Sequence, residues 1–195
     1  MKILSYLFIC MFTGSMIGAA ELKYKYQDYD TAKKAESFVK FELTSTKVGL
    51  VTTSFDGYIL SSALNFKRNG NEVLLTEFVA DANSFDTDSG MRDSKLHDSI
   101  LETGKYPEMR LKFPSTFLLD NFPEKVDGDL LIRGKRKTIS VSVKLSESGG
   151  NYVVEGTALT GIKELELPDP SIFIAKVNDP IKISFRFVIP FTQAE

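Results

Sequence analysis

Alternation constrains this chain more than any other feature. Between Pro180 and Pro190, Ile181, Ile183, Phe185, Phe187 and Ile189 take every second position, with Lys182, Ser184 and Arg186 between them. A side-chain period of two belongs to a β-strand with one face buried and the other in water. The period recurs upstream. Val39, Phe41 and Leu43 alternate with Lys40, Glu42 and Thr44. Met109, Leu111 and Phe113 alternate with Arg110 and Lys112, and Ile139, Val141, Val143 and Leu145 with Ser140, Ser142 and Lys144. Tyr58, Leu60, Leu64 and Phe66 share one phase, opposite Ser61, Asn65 and Lys67. Residues 72–82 and 151–159 read as further strands. The first has a mixed phase, with Leu74, Phe78 and Ala80 on one side and Val73, Leu75 and Val79 on the other.

Turn chemistry separates these runs. Asn69-Gly70-Asn71, Arg133-Gly134-Lys135 and Ser148-Gly149-Gly150-Asn151 are hairpin signals, because glycine and asparagine accept the positive φ that tight hairpins require. One segment reads as a helix, about 89–103, with Met91, Leu96, Ile100 and Leu101 as its buried edge and Gly104 as its stop. Pro168 and Pro170 mark an irregular stretch before the last strands. The pattern predicts an all-β domain, mostly antiparallel, with one substantial helix. Many short strands joined by hairpins allow a sandwich or a closed barrel. A transmembrane barrel also alternates, but here the polar phase is dense in Lys, Glu and Arg, which suits water outside.

The N-terminal segment stands apart. Lys2 is its only charge, an apolar run extends from Ile3 to Ile17, and Gly18, Ala19 and Ala20 precede Glu21. That order reads as a secretory signal peptide over residues 1–20, cleaved after Ala20. The run is short for a membrane span, which takes roughly 20 apolar residues. A lipidated Cys10 is disfavoured, since Ile9 is not small. Residues 21–195 are then one domain, periplasmic or secreted.

Composition removes whole classes of chemistry. Cys10 is the only cysteine and leaves with the signal, so the exported domain has no disulfide, thiol nucleophile or thiolate ligand. His97 is the only histidine, in a polar stretch, and reads as solvated rather than catalytic. The formal net charge of −2 gives no basic excess for nucleic acid. Asp86, Asp88 and Asp93 lie close together but lack the spacing of a calcium loop. Neither a metal nor a cofactor is expected.

Three motifs are more specific. Residues 79–107 run from a strand into Ser84-Phe85-Asp86-Thr87, then Arg92-Asp93 and Leu96 on the helix, then Tyr106-Pro107. Gly128-Asp129-Leu130 leads to Ile132-Arg133-Gly134 and a basic turn. The strand SFVKFELTS is followed by Phe55-Asp56-Gly57. Together, in this order, they resemble the YceI-like family of exported lipid-binding proteins over nearly all of 22–190. The resemblance implies a lipocalin-like antiparallel β-barrel of about eight strands. It also implies a long-chain amphiphile inside: a polyisoprenoid, an isoprenoid quinone or a fatty-acid-like lipid.

The inward phases supply candidates for contact with the tail: Val39, Phe41, Leu43, Leu60, Leu64, Phe66, Phe78, Leu111, Phe113, Val141, Val143, Ile183, Phe185 and Phe187. Any one of them could equally pack against its neighbours. Arg92 and Asp93 are candidates for the headgroup or rim, with a bond fixing the helix to the barrel as the preferred alternative. Arg133, Lys135, Arg136 and Lys137 form a basic turn that reads first as a solvated hairpin and second as an anion contact. The function expected is carriage or sequestration of the lipid, without catalysis. A carboxylate-based enzyme acting on an isoprenoid lipid and a ligand-free interaction scaffold stand as alternatives. Transient contact with a membrane surface and a homodimer complete the partner expectations.

Overall fold

A computed structural model describes residues 18–47, 51–69, 72–113, 116–172 and 175–191. Fifteen elements follow in chain order. They are β1 (Gly18–Lys25), α1 (Tyr29–Lys34), β2 (Phe38–Lys47), β3 (Val51–Ile59), β4 (Ser61–Asn69), β5 (Glu72–Asp81), β6 (Phe85–Asp86), α2 (Gly90–Lys95), β7 (Glu108–Lys112), β8 (Thr116–Leu118), β9 (Lys125–Ile132), β10 (Lys135–Ser148), β11 (Asn151–Gly161), β12 (Ala175–Val177) and β13 (Pro180–Pro190). The predicted signal segment lies outside the described residues up to position 17, and so does the Gly70-Asn71 part of the first turn.

All strand pairs are antiparallel and belong to one curled sheet, ordered β1-β4-β5-β7-β9-β10-β11-β13-β2-β3-β6. Leu60 alone separates β3 from β4, so the two are one strand with a bend. Its first half pairs with β2 and its second half with β5. The path therefore returns on itself, with eight wall positions: β2, β3–β4, β5, β7, β9, β10, β11 and β13. This is the lipocalin-like barrel architecture. β9 shows the underlying cause most clearly, as Val126, Gly128, Leu130 and Ile132 are buried while the residues between them face out.

The bend at Leu60 also corrects one predicted phase. Read as a single straight strand, the sequence puts Tyr58, Leu60, Leu64 and Phe66 on one face. In the structure Phe41 pairs with Gly57 on the inner face, so β3 turns its odd positions inward, while β4 turns Leu64 and Phe66 inward. A phase change of one residue sends every side chain to the opposite face. Tyr58 and Leu60 thus leave the barrel interior and pack with Tyr29, Ala32, Tyr26 and Phe38 in a small outer cluster under α1. A second irregularity explains the mixed phase of β5. Asn65 pairs with Glu77 but Phe66 pairs with Leu75, a bulge that leaves Thr76 unpaired in the ladder. Thr76 Oγ1 instead donates to the Asn65 carbonyl at 2.9 Å.

The helices also differ from expectation. α1 is a second helix that hydrophobic period does not reveal, because it is six residues long and buries only Tyr29 and Ala32. It is held by a reciprocal cap between Asp28 and Thr31, and the Tyr29 hydroxyl donates to Asp56 at 2.6 Å. α2 continues into a wider turn, Leu96–Leu101, with i→i+5 bonding. Glu102, in a left-handed conformation at φ 51°, ends it rather than Gly104. Ile100 and Leu101 are buried, but Met91 is 80% exposed. His97 is half-buried, not solvated. Its Nε2 lies 2.9 Å from the Phe85 carbonyl, which can only accept, so that nitrogen carries the proton. Two hairpins follow their signals: Arg133 and Gly134 have φ 49° and 71°, and Gly149 and Gly150 have φ 57° and 79°.

Candidate functional site: the barrel interior

The barrel encloses a cavity of about 570 Å³, within the range of small-molecule sites. Its wall follows from the strand phases. β2 contributes Val39, Phe41 and Leu43; β4 and β5 contribute Leu64 and Phe78; β7 and the residue after it contribute Leu111 and Phe113. Val141 and Val143 come from β10, and Ile183, Phe185 and Phe187 from β13. Two of the predicted tail residues lie elsewhere. Leu60 is under α1, for the reason given above. Phe66 points inward and is buried, but it belongs to the packed part of the core and does not border the cavity.

Glycines keep this interior from filling. Phe41 lies across Gly57 and Phe185 across Gly156, each pair directly opposite on neighbouring strands. A Cβ built on Gly57 would meet the Phe41 ring at 2.3 Å, and one on Gly156 would meet the Phe185 ring at 2.7 Å. Gly128 plays the same part beneath Leu111, at 2.8 Å. Where the partner has no side chain, a large one can lie against the wall instead of projecting to the axis.

The lining is polar at one end only. Ser45 and Lys47 of β2 and Thr53 and Ser54 of β3 form one polar segment, and Thr87, Ser89, Arg92 and Lys95 form the other. Lys47, Thr53, Ser54, Met91 and Arg92 are exposed, so the cavity opens here. Residues 162–172 and 175–177 cross the same end. They are joined to β2 through β12 and to α2 through Lys95, whose Nζ donates to the Ser171 carbonyl at 2.6 Å. The sequence held two signals for these missed residues. Ser45 and Lys47 continue the inward phase of Val39, Phe41 and Leu43, and Lys95 lies three residues beyond Arg92 on one helix face.

Arg92 and Asp93 do not pair with each other. Asp93 Oδ1 accepts from the Thr87 amide at 2.9 Å and from the Thr87 hydroxyl at 2.6 Å. Arg92 donates to the Thr87 carbonyl at 2.6 Å and to Oγ1 at 3.1 Å, and stacks its guanidinium 5.3 Å from the Phe55 ring centroid. Asp93 thus fixes the start of α2, while Arg92 borders the cavity. Asp86 is likewise engaged by backbone, accepting from the amides of Tyr29 and Asp88. No cluster of metal-ligating side chains occurs among the described residues. The basic turn is largely neutralised. Lys135 and Lys137 both contact Glu166, whose carboxyl they hold down to about 2, and Arg133 pairs with Glu102 at 2.7 Å.

A family model for the YceI-like domain matches residues 30–189. The chain belongs to the YceI-like family. Among solved structures, BcnA of Burkholderia cenocepacia has the same fold, with a TM-score of 0.59 at 19% identity over 83% of this chain and 99% of that one. A polyisoprenoid-binding domain from Saccharophagus degradans, implicated in plant cell wall breakdown, follows at TM-score 0.52 and 15% identity, covering 89% and 99%. No curated protein sequence matches significantly. The YceI-like barrel is thus shared across sequences that have diverged far.

Proposed function

We propose that this YceI-like protein binds one long-chain amphiphile, such as a polyisoprenoid or fatty-acid-like lipid, and carries or sequesters it outside the cytoplasm without chemical change. One observation carries the reading: a 570 Å³ interior that is apolar throughout except at its open end. Such a cavity favours a molecule with one greasy tail and one polar head, held in a single orientation. Each buried methylene contributes about 0.8 kcal/mol, so ten give about 8 kcal/mol before ordering costs. The polyisoprenoid named for the Saccharophagus domain supports this ligand class.

Loading and release would take place at a membrane surface. Met91 and Ile172 border the cavity and are 80% and 46% exposed, and Val51, 57% exposed, pairs with Lys47. These apolar groups beside cations suit insertion among lipid headgroups. The deciding experiment is solvent extraction of the protein purified from its native compartment, followed by mass spectrometry. A hydrophobic molecule near one per chain is expected. A protein that yields none, and takes up none from vesicles, overturns the proposal.

A further inference from the structure

We infer that the amphiphile carries an anionic oxygen headgroup, a carboxylate or a phosphate, bound by Lys47, Arg92 and Lys95; this rests on the carrier reading above. Every ionisable side chain bordering the cavity among the described residues is a cation, and no carboxylate borders it. Several cations elsewhere are paired: Arg110, Arg133, Lys135, Lys137 and Arg186 each meet a glutamate. None of the three cavity cations has an ion-pair partner among the described residues.

The nearest acids are turned to other work. Asp93 accepts from Thr87. Asp169, in the stretch crossing the mouth, accepts from the Ser171 amide at 2.8 Å and does not border the cavity; it interacts with Lys95 only through space, without an ion-pair contact, and so offsets that charge in part. Asp88 is exposed on the approach to α2. Arg92 is held in place through Nε and Nη2 by Thr87, which leaves Nη1 to meet a ligand. Lys95 spends one donor on Ser171 and keeps two. The hydroxyls of Ser45, Thr53, Ser54 and Ser89 border the same end and can donate to anionic oxygens. Three like charges around one opening repel one another. An anion relieves that repulsion and makes charge-assisted hydrogen bonds, and a neutral alcohol or ester does neither.

The test is a competition assay in which matched compounds displace a fluorescent lipid probe from the full-length protein. The compounds are palmitate, its methyl ester and hexadecanol, with geranylgeranyl phosphate beside geranylgeraniol. The acids should bind about tenfold tighter than their neutral partners, the low end for hydrogen bonds to a charged group. The triple variant Lys47→Gln, Arg92→Gln, Lys95→Gln should lose that preference and keep its affinity for the alcohols, which also shows that it folds. Lys144→Gln, on the outer wall, should change nothing. A preference for palmitate alone identifies a carboxylate ligand, and for the prenyl phosphate alone a phosphate. Equal binding of acid and alcohol overturns the headgroup inference and leaves the carrier reading standing. An acid preference that survives in the triple variant overturns the assignment to these residues. If no compound and no probe binds, the carrier reading falls, and the inference with it.

Discussion

Gly57→Ala tests how the barrel stays hollow. The added Cβ would lie 2.3 Å from Phe41 Cζ and 2.8 Å from the Asp86 carbonyl oxygen, whereas ordinary contact begins at 3.4 Å. The carbonyl belongs to the β3–β6 pairing, so easing its contact strains that pairing and leaves the shorter contact with the ring to be relieved separately. The Phe41 ring must therefore retreat by about 1 Å or more, and the space it can retreat into is the cavity. Overpacking of this kind costs about 1–3 kcal/mol. For a chain of this length that corresponds to a fall in Tm of about 2–12 °C. If the displaced ring takes the room of about three methylenes, lipid affinity falls by about 2.4 kcal/mol, or about fiftyfold. Thermal denaturation and a probe titration on the same samples read both effects. Gly104→Ala is the control, since a Cβ there meets nothing within 4 Å. If Gly57→Ala matches the control in both Tm and affinity, the glycines do not hold the wall open and the argument fails.

Three other outcomes follow from local chemistry. Asp93→Ala strips the buried Thr87 of the acceptor for its amide and hydroxyl, so stability measured in urea should fall by about 1–3 kcal/mol, and an unchanged midpoint would deny that Asp93 anchors the segment leading into α2. Gly134→Ala places a side chain at φ 71°, 2.8 Å from the Tyr106 ring, and should cost about 1–2 kcal/mol from the backbone alone in the same assay. The Asp56 carboxyl would be pushed up by burial, but the Tyr29 hydroxyl and the Lys40 ammonium outweigh that and hold it below the usual range. Its contribution is complete above the unfolded value of about 3.9 and drains away as pH falls through the lower folded value. The wild-type urea midpoint should therefore drop more steeply below about pH 4 than that of Asp56→Asn, and parallel curves would refute the assignment.

Much of the wall was legible because alternation is a local property. A strand with one wet and one buried face writes its phase into consecutive residues, as Ile183, Phe185 and Phe187 do between Lys182, Ser184 and Arg186. The hairpins at Gly134 and Gly149-Gly150 were legible for the same reason, since a positive φ is a demand made on one or two residues. Where a phase broke, the sequence alone misled. The bend at Leu60 sent Tyr58 and Leu60 outward, and the bulge at Thr76 blurred β5. α1 escaped notice because two buried residues make no period.

By itself the sequence determined the strands, their inward faces and an interior rich in phenylalanine, because these follow from neighbours along the chain. It could not say whether those phenylalanines meet in the middle or lie against the wall. That depends on which residue stands opposite on the next strand, and the pairings of Phe41 with Gly57 and Phe185 with Gly156 join residues far apart in the chain. The gathering of Lys47, Arg92 and Lys95 at one opening is likewise a product of barrel closure, which brings the tip of β2 beside α2.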